Sequence, residues 1–350
     1  MKYRADDLVR FASTLLDRAG LPPDRARVAA EVLVEADLLG HDTHGLDQLA
    51  GYLRQIEDGR VARTGEPQVI ADAGAALTWD GKRLPGAWLV KRAIAEARQR
   101  VLAYPVVTVS IRHSHHIGCL QVYLKPVTDA GLIILLASSD PATASVTPYG
   151  GIAPRITPNP IAAGFPTGGA PILVDISTSS ATNATNKRAA ERGGHLPGRW
   201  LIDSRGRATD DPRVLSEDPP GATLPLGGLE LGHRGFALSL IVEALTSGLA
   251  GSGRADKPDA WCASVFLQVI DPDAFGGREA FIRETQHLSE LCRSTPVAPG
   301  DPPVRLPGER ALALRKRQIQ EGIELYEGIL PALTPWAERY GVPLPNALED

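Results

Sequence analysis

Apolar side chains recur three and four positions apart through the first hundred residues, which is the spacing of one helical face. The first such face precedes Gly20, a residue type that commonly ends a helix. Its apolar members are Leu8, Phe11, Ala12, Leu15 and Leu16. Residues 22–40 begin with two prolines and end in glycine, which predicts a second helix. Residues 44–59 and 86–100 predict two more helices, with a turn-rich strand pair around 66–83 between them.

The pattern changes after residue 100, where short apolar runs predict strands of a covered sheet. These runs are 101–111, 131–140, 171–178 and 263–275. Residues 119–131 predict a helix between the first two strands, and residues 235–251 predict a buried helix that ends at glycine. Residues 309–340 predict a largely helical segment. We therefore expect a helical N-terminal part, a central α/β part and a helical C-terminal return, with bounds at 1–65, 66–285 and 286–350.

Composition and charge narrow the class of protein. A chain of 350 residues with 43% hydrophobic and 22% charged residues is typical of a globular protein with a large core. The net charge of -4 disfavours nucleic acid as a partner, and no apolar run approaches the roughly 20 residues that a membrane helix needs. Three widely spaced cysteines imply no disulfide framework. Because the N-terminus carries no signal-peptide pattern, we expect a cytoplasmic protein.

Five of the eight histidines lie in two short stretches, HDTH at 41–44 and HSHHIG at 113–118. No zinc-binding spacing such as H-E-x-x-H or C-x-x-C accompanies them, so we expect no metal site. Imidazole transfers protons well near neutral pH, and a neighbouring hydroxyl can orient the ring. The residue types therefore favour acid/base chemistry over a metal site, and for His44, which follows Thr43, and His116 the surrounding sequence decides between this chemistry and a loop position. The remaining histidines of the two stretches, taken singly, predict loop residues or helix caps: His41, His113 and His115.

Blocks around both histidine stretches resemble the malate/L-lactate dehydrogenase family that lacks a Rossmann domain. Its members include sulfolactate and ureidoglycolate dehydrogenases and the piperideine-2-carboxylate and pyrroline-2-carboxylate reductases. Residues 35–53 are similar to the family's segment ending in Ser-His-Gly, and 113–124 to its Asn-Ser-x-His-Phe-Gly segment. Further blocks follow in family order at 157–167, 172–187, 196–212, 224–238 and 302–309. The chain has no G-x-G-x-x-G and no P-loop motif, which agrees with this resemblance.

The resemblance implies an α/β fold of the sulfolactate dehydrogenase-like type, which is not a Rossmann fold. A mixed seven-stranded sheet covered by helices would form the cofactor domain, and both chain ends would form a helical domain. It also implies a homodimer that uses NAD or NADP. The substrate would be a small molecule: a 2-oxo acid, a 2-hydroxy acid or a cyclic 2-imino acid.

The resemblance also implies the roles of individual residues. His44 would donate the proton, with Thr43 as its hydroxyl partner, and His116 would be a second acid/base group beside the nicotinamide. Lys187 would complete the catalytic set. The implied substrate-binding residues are Gln48, Tyr52 and Asn159. The implied cofactor-binding residues are His116, Ile117, Gly118, Cys119 and Leu120, then Asp175, Ile176 and Ser177, then Arg234, and finally Arg305, Leu306, Pro307, Gly308 and Glu309.

Three positions depart from the family's pattern. Gln48 stands where the family usually has an arginine that anchors the substrate carboxylate, and a neutral amide cannot form that charged pair. Arg234 replaces a lysine, and Asn186 with Lys187 replaces a Gly-Lys pair after a small insertion. Changes around one pocket indicate an altered substrate, so we expect weak recognition of simple 2-oxo acids such as pyruvate.

Three classes of function compete at this point. The first is an active NAD(P)-dependent dehydrogenase or reductase. The second is a catalytically weak or silent paralogue that still binds the cofactor. The third is a metal-dependent hydrolase that uses the histidines. Retention of Thr43, His44, Tyr52 and His116 favours the first over the second, and the missing metal-ligand spacing disfavours the third.

Overall fold

Helices from both ends of the chain pack together, and the middle of the chain forms a sheet. The computed structural model describes residues 1–348. Its helices are α1 (Ala5–Arg18), α2 (Pro23–Leu38), α3 (Leu49–Glu57), α4 (Gly86–Arg100), α5 (Lys125–Thr128), α6 (Asn183–Glu191), α7 (Gly228–Glu243), α8 (Arg278–Arg293), α9 (Glu309–Glu321) and α10 (Ile329–Tyr340). Its strands are β1 (Lys2–Tyr3), β2 (Gln68–Asp72), β3 (Ala76–Asp80), β4 (Val106–Ser114), β5 (Ile133–Ser139), β6 (Ile161–Phe165), β7 (Ile172–Ile176), β8 (Leu201–Ile202), β9 (Ala208–Thr209), β10 (Ala222–Thr223), β11 (Ala263–Ile270) and β12 (Ile323–Glu324).

The main sheet has seven strands in the order β2-β3-β4-β11-β5-β6-β7. The β3–β4 pair is parallel and the other pairs are antiparallel, so the sheet is mixed. Its central strands β11 and β5 are buried on both faces, which explains their nearly continuous apolar sequence. The expected mixed seven-stranded sheet is confirmed.

Both chain ends share one hydrophobic core. Leu8, Leu16 and Leu53 from α1 and α3 pack in the same cluster as Leu333 from α10. The two-residue strands β1 and β12 pair antiparallel beside this cluster. The expected helical domain from both chain ends is therefore confirmed. The domain bounds at 65 and 285 stay predictions, and α8 (Arg278–Arg293) runs across the second of them.

Helix α2 belongs to two cores at once. Leu33 and Val34 lie in the helical core, whereas Val32 and Ala36 lie in the core between the sheet and α4. A helix that is apolar on most of its surface is expected to be buried on several sides. The C-terminal end of α2 is therefore fixed where the two cores meet, and the first histidine stretch follows it directly.

One local prediction between the strands was wrong, and several elements were not predicted. Residues 119–131 do not form a single helix: Leu120–Tyr123 is a 3-10 turn, and α5 spans only one turn after it. Tertiary hydrogen bonds hold this segment, since the Gln121 backbone N–H donates to Asp175 and the Tyr123 hydroxyl donates to the Ile117 carbonyl. Helices α6 and α8, strand β6 and the small sheet β10-β8-β9 were not predicted. The two-residue strands of the small sheet carry no readable alternation.

The helix predicted over residues 235–251 is present but begins seven residues earlier, as α7 (Gly228–Glu243), and continues through a π-helical turn (Ala244–Gly248). It is not buried within the chain. The residues on its buried side are Gly232, Gly235, Ser239 and Val242. A Cβ at Gly235 would lie 2.5 Å from backbone atoms of Leu226, so this position requires glycine. The opposite side is apolar and open, with Leu229, Leu240 and Ile241 each half exposed. The prediction of a buried helix was therefore wrong for the single chain.

No helix among residues 1–348 combines the length and the apolar content that crossing a membrane requires.

We predict that Leu16→Ala destabilises the fold by about 2–5 kcal/mol, because it removes a fully buried side chain from the core shared by both chain ends. Leu102→Ala is the matched control, since Leu102 is 88% exposed, and it should change stability by less than about 0.5 kcal/mol. Urea unfolding measures both variants. Equal free energies of unfolding for the two would contradict this view of the helical core.

Candidate active site

The first histidine stretch forms two tight turns that connect α2 to α3. Asp42–His44 is one 3-10 turn and Leu46–Gln48 is the next. Gly45 lies between them against the buried Asp37, and a Cβ at this position would be 2.0 Å from Asp37 Oδ1. Asp37 Oδ2 accepts the Leu46 backbone N–H at 2.9 Å, and burial raises the pKa of the Asp37 carboxyl well above its usual range. Asp37 therefore fixes the path of the turn that carries His44.

The second histidine stretch is fixed by close contact with the start of α4. The His115 backbone N–H donates to the Leu84 carbonyl at 3.2 Å. A Cβ on Gly86 would lie 2.2 Å from the His115 carbonyl oxygen and 2.4 Å from that of His116, so this approach needs glycine. The His115 ring is buried, bonds to Gln55 and lies edge-on to Tyr52. His115 therefore has a structural role, packed between Gln55 and Tyr52.

Tyr52 and His116 form the hydrogen bond that joins the two stretches. The Tyr52 hydroxyl lies 2.6 Å from His116 Nδ1. Burial, together with His44 and His115, lowers the pKa of His116 well below its usual range, and burial raises the pKa of Tyr52. His116 is therefore neutral near pH 7, and Tyr52 donates the hydrogen bond. By inference from this bond, the remaining proton lies on His116 Nε2, which becomes a hydrogen-bond donor.

His44 and His116 face each other across a short gap. Their ring centroids are 5.9 Å apart, and the edge of Trp261 covers His116 at 5.1 Å. The Thr43 hydroxyl is 2.9 Å from His44 Nδ1, which leaves Nε2 as the nitrogen available to a ligand. Burial lowers the pKa of His44, and the negative charge of Asp175 opposes this shift. The pair can therefore give a proton to an atom placed between the rings, or take one from it.

Two residues predicted to bind substrate are engaged in other contacts. Gln48 Nε2 donates to the Thr43 carbonyl at 2.7 Å, so this amide braces the turn that carries His44. Asn159 is fully buried and donates to Ser239 Oγ at 2.8 Å and to Glu243 at 3.1 Å. Asn159 thus fastens β6 to α7, and the structure does not bring it to the histidines. Both substrate-binding roles stay predictions.

Two of the runs predicted to bind the cofactor meet at the end of β7. Asp175 Oδ2 accepts the Gln121 backbone N–H at 2.8 Å and lies 3.5 Å from Cys119 Sγ, which ties the run 116–120 to the run 175–177. The run 305–309 lies alongside, since the Leu173 backbone N–H donates to the Pro307 carbonyl at 3.1 Å. The structure therefore brings these three runs together around β7, and His116 is the first residue of one of them.

Arg234 and Lys187 lie apart from this centre. Arg234 is exposed on α7. The Lys187 side chain is 75% exposed, and its Nζ lies 3.6 Å from a Glu191 carboxylate on the same helix. The structure does not bring either residue to the histidines, and their assigned roles stay predictions.

Arg188, which follows Lys187, reaches the turn that carries His44. Its Nη1 lies 2.9 Å from Asp42 Oδ1, and its Nη2 lies 3.2 Å from Asp47 Oδ2. The guanidinium stacks over Tyr326 at 3.8 Å, and the side chain is only 15% exposed. Sequence reasoning missed this residue. The signal was the pair of aspartates that flank His44, because two neighbouring carboxylates in a partly buried turn need a cation.

Known proteins resemble this chain in sequence and in fold. The family model described as malate/L-lactate dehydrogenase matches residues 3–334. An L-lactate dehydrogenase from Cupriavidus necator is 30% identical over 99% of this chain and 100% of its own length. A Delta(1)-pyrroline-2-carboxylate/Delta(1)-piperideine-2-carboxylate reductase from Pseudomonas syringae is 32% identical over 90% of both chains.

Among solved structures, malate dehydrogenase from Entamoeba histolytica superposes with a TM-score of 0.93 over 99% of each chain, at 24% identity, and shows the same fold. The resemblance in the sequence is thereby confirmed, and with it an oxidoreductase. This chain belongs to the malate/L-lactate dehydrogenase family.

Proposed function

We propose that this oxidoreductase transfers a hydride between a nicotinamide cofactor, NAD or NADP, and a 2-oxo or 2-hydroxy acid or a cyclic 2-imino acid. The observation that carries the proposal is the His44–His116 pair. The Thr43 hydroxyl holds the His44 ring at Nδ1. His116 is a neutral hydrogen-bond donor, and its hydrogen bond with Tyr52 determines which ring nitrogen carries the proton. Both lie beside the three converging runs. The names of the two relatives support the substrate classes.

The residues around β7 fit a nicotinamide cofactor. Ile176 is an apolar side chain, 41% exposed, directly after Asp175, and it offers a surface that a planar ring can cover. Arg305 is exposed at the start of the third run and can pair with phosphate. The nicotinamide supplies or accepts the hydride when it is bound. The choice between NAD and NADP stays open.

The chain's own residues handle the proton. As negative charge develops on the substrate oxygen or nitrogen, His44 in its protonated form gives it the proton from Nε2 and becomes neutral, while Thr43 holds the ring by Nδ1. His116 Nε2–H donates a hydrogen bond to the same atom and remains neutral, because the burial that lowers its pKa disfavours the charged ring. In the oxidative direction His44 takes the proton back. Trp261 and Tyr52 limit the access of water to the pair.

This chain has Gln48 where the family usually has the arginine that binds the substrate carboxylate. Gln48 is held by the Thr43 carbonyl, so its amide nitrogen is already engaged. A lost charged hydrogen bond to a carboxylate costs roughly 1.5–3 kcal/mol, which is one to two decades in kcat/KM. We therefore propose a substrate larger or less dependent on a carboxylate anchor than pyruvate.

We further propose that two copies of the chain pair through α7. The exposed face of α7 consists of the half-exposed side chains of Leu229, Leu240 and Ile241. Leu231 and Leu249 extend this apolar surface. Monomeric proteins rarely leave a patch of this kind in water. A homodimer would bury it and would explain why the sequence of α7 resembles that of a buried helix. A cytoplasmic location stays a prediction.

We predict that His44→Ala lowers kcat about 100- to 10,000-fold, because it removes the positioned proton donor. Nucleotide affinity should change by less than about threefold, since the three runs remain. Steady-state assays on 2-oxo acids and cyclic imines, with fluorescence titration of NADH and NADPH, measure the two effects. His195→Ala is the control, because His195 is exposed and paired with Asp210. Near wild-type turnover in His44→Ala would show that the proton comes from elsewhere, with His116 next to be tested.

We predict that Arg188 is a positioning residue for His44. Arg188→Ala should lower kcat by up to about 100-fold, because the turn loses both ion pairs. Arg188→Lys should recover part of the loss, since the charge remains but the forked geometry does not. Lys187→Ala is the matched comparison one residue away. A larger loss from Lys187→Ala than from Arg188→Ala would support the role implied by the resemblance and refute this one.

The pH profile separates this role from a general loss of structure. Oxidation needs unprotonated His44, so the rate falls as pH drops through the pKa of His44, which burial lowers from its usual range in the wild type. The positive charge of Arg188 contributes to that lowering. In Arg188→Ala the acid limb should therefore move to higher pH. An unmoved limb with reduced kcat would indicate a structural effect alone.

We predict that the wild type sediments at twice the chain mass of 37.2 kDa. A double variant, Leu240→Asp with Ile241→Asp, should sediment as a monomer because two carboxylates enter the apolar face of α7. Leu102→Asp introduces one carboxylate at an exposed apolar site elsewhere and should leave the dimer intact. A monomeric wild type, or a dimeric double variant, would refute pairing through α7.

A further inference from the structure

Three possible metal ligands lie close together: a ring nitrogen of His41, the sulfur of Cys119 and a carboxylate oxygen of Asp175. His41 follows α2, Cys119 follows β4, and Asp175 lies in β7, so three separate segments converge. Their ligand atoms all lie within 4.8 Å of one another, and Cys119 Sγ is 3.5 Å from Asp175 Oδ2. In a tetrahedral zinc site with bonds of about 2.0–2.3 Å, ligand atoms are about 3.3–3.8 Å apart. The sulfur and oxygen already have this separation.

The surroundings suit a thiophilic divalent cation. Cys119 is buried and its thiol donates to Asp175, while His41 is partly exposed and opens the point to solvent. Gln121 holds His41 Nε2 through its side-chain oxygen at 2.5 Å, and its backbone N–H holds Asp175. Gln121 therefore orients two of the three ligands from outside the cluster, as the second layer around a zinc ion commonly does.

We propose that His41, Cys119 and Asp175 bind Zn²⁺, with water as the fourth ligand, and that the bound ion blocks this enzyme. The Zn–S bond replaces the S–H bond, the thiol proton passes to solvent, and no electrons are transferred. The inhibitory part rests on the proposed function, because Cys119 and Asp175 belong to runs assigned to the nicotinamide. Zinc would also neutralise the Asp175 charge that supports protonated His44.

Metal binding should release one proton, because the Cys119 thiol donates a hydrogen bond to Asp175 in the metal-free chain and a thiolate is the form that binds zinc. Titration calorimetry in buffers of different ionisation enthalpy counts the released proton.

The binding test uses the full chain with Co²⁺ as a spectroscopic probe, followed by displacement with Zn²⁺. We expect one Co²⁺ per chain with a sulfur-to-cobalt charge-transfer band. Cys119→Ser should abolish the band, and His41→Ala should weaken affinity at least tenfold. Cys292→Ser is the matched control, because Cys292 lies on α8 outside the cluster, and it should keep the band. Thermal unfolding checks that each variant is folded.

An absent band in the wild type, or a band that persists in folded Cys119→Ser, overturns the metal site. The inhibitory part is tested separately by adding NADH or NADPH to the cobalt-loaded chain. Loss of the band on nucleotide addition supports overlap of the two sites. A band unchanged by a nucleotide that does bind overturns the blocking mechanism but leaves the metal site in place. If neither nucleotide binds the metal-free chain, the proposed function fails, whatever the cobalt spectrum shows.

Discussion

The hydrogen bond between Tyr52 and His116 joins the two halves of this molecule at the point where chemistry is proposed. Tyr52 comes from α3 and belongs to the core formed by both chain ends, whereas His116 follows a strand of the main sheet. The bond sets the orientation of His116 and the nitrogen that carries its proton. If the two cores separated, both groups would lose their partner, and the His44–His116 pair would no longer exist.

The rest of the site follows from this junction. Helix α2 packs into both cores, so the turn that follows it, which carries His44, is held in place relative to both. Gly45 and Gly86 allow the backbone to approach within distances that a Cβ would forbid. Arg188 then connects the turn to α6 and Tyr326, so three regions of the chain hold one histidine. Burial lowers the pKa of both imidazoles, so that His116 stays a neutral hydrogen-bond donor, while His44, which the charge of Asp175 helps to protonate, carries the proton.

Local patterns predicted α1 to α4, α7, the helical stretch that contains α9 and α10, the central strands and both histidine stretches, because each of these leaves a periodic or compositional signal. They did not predict Arg188. On a helix one residue turns the side chain by about 100°, so Lys187 faces water while Arg188 faces Asp42, and nothing local distinguishes them. The exposure of the apolar face of α7 was not predicted for a related reason. An apolar helix has the same sequence pattern whether its own chain or a second copy covers it. The engagement of Gln48 with the Thr43 carbonyl is likewise a tertiary fact.

Hydride transfer to a carbon held between His44 and His116 can be followed directly with isotope. NADH and NADPH dideuterated at C4 of the nicotinamide are incubated with the enzyme and with pyruvate, oxaloacetate or a cyclic 2-imino acid, and the products are analysed by mass spectrometry. The proposed function predicts one deuterium at C2 of the reduced product for at least one substrate and cofactor pair, with the added proton drawn from solvent. Reduced product without deuterium at C2, or no product with any pair, would contradict it.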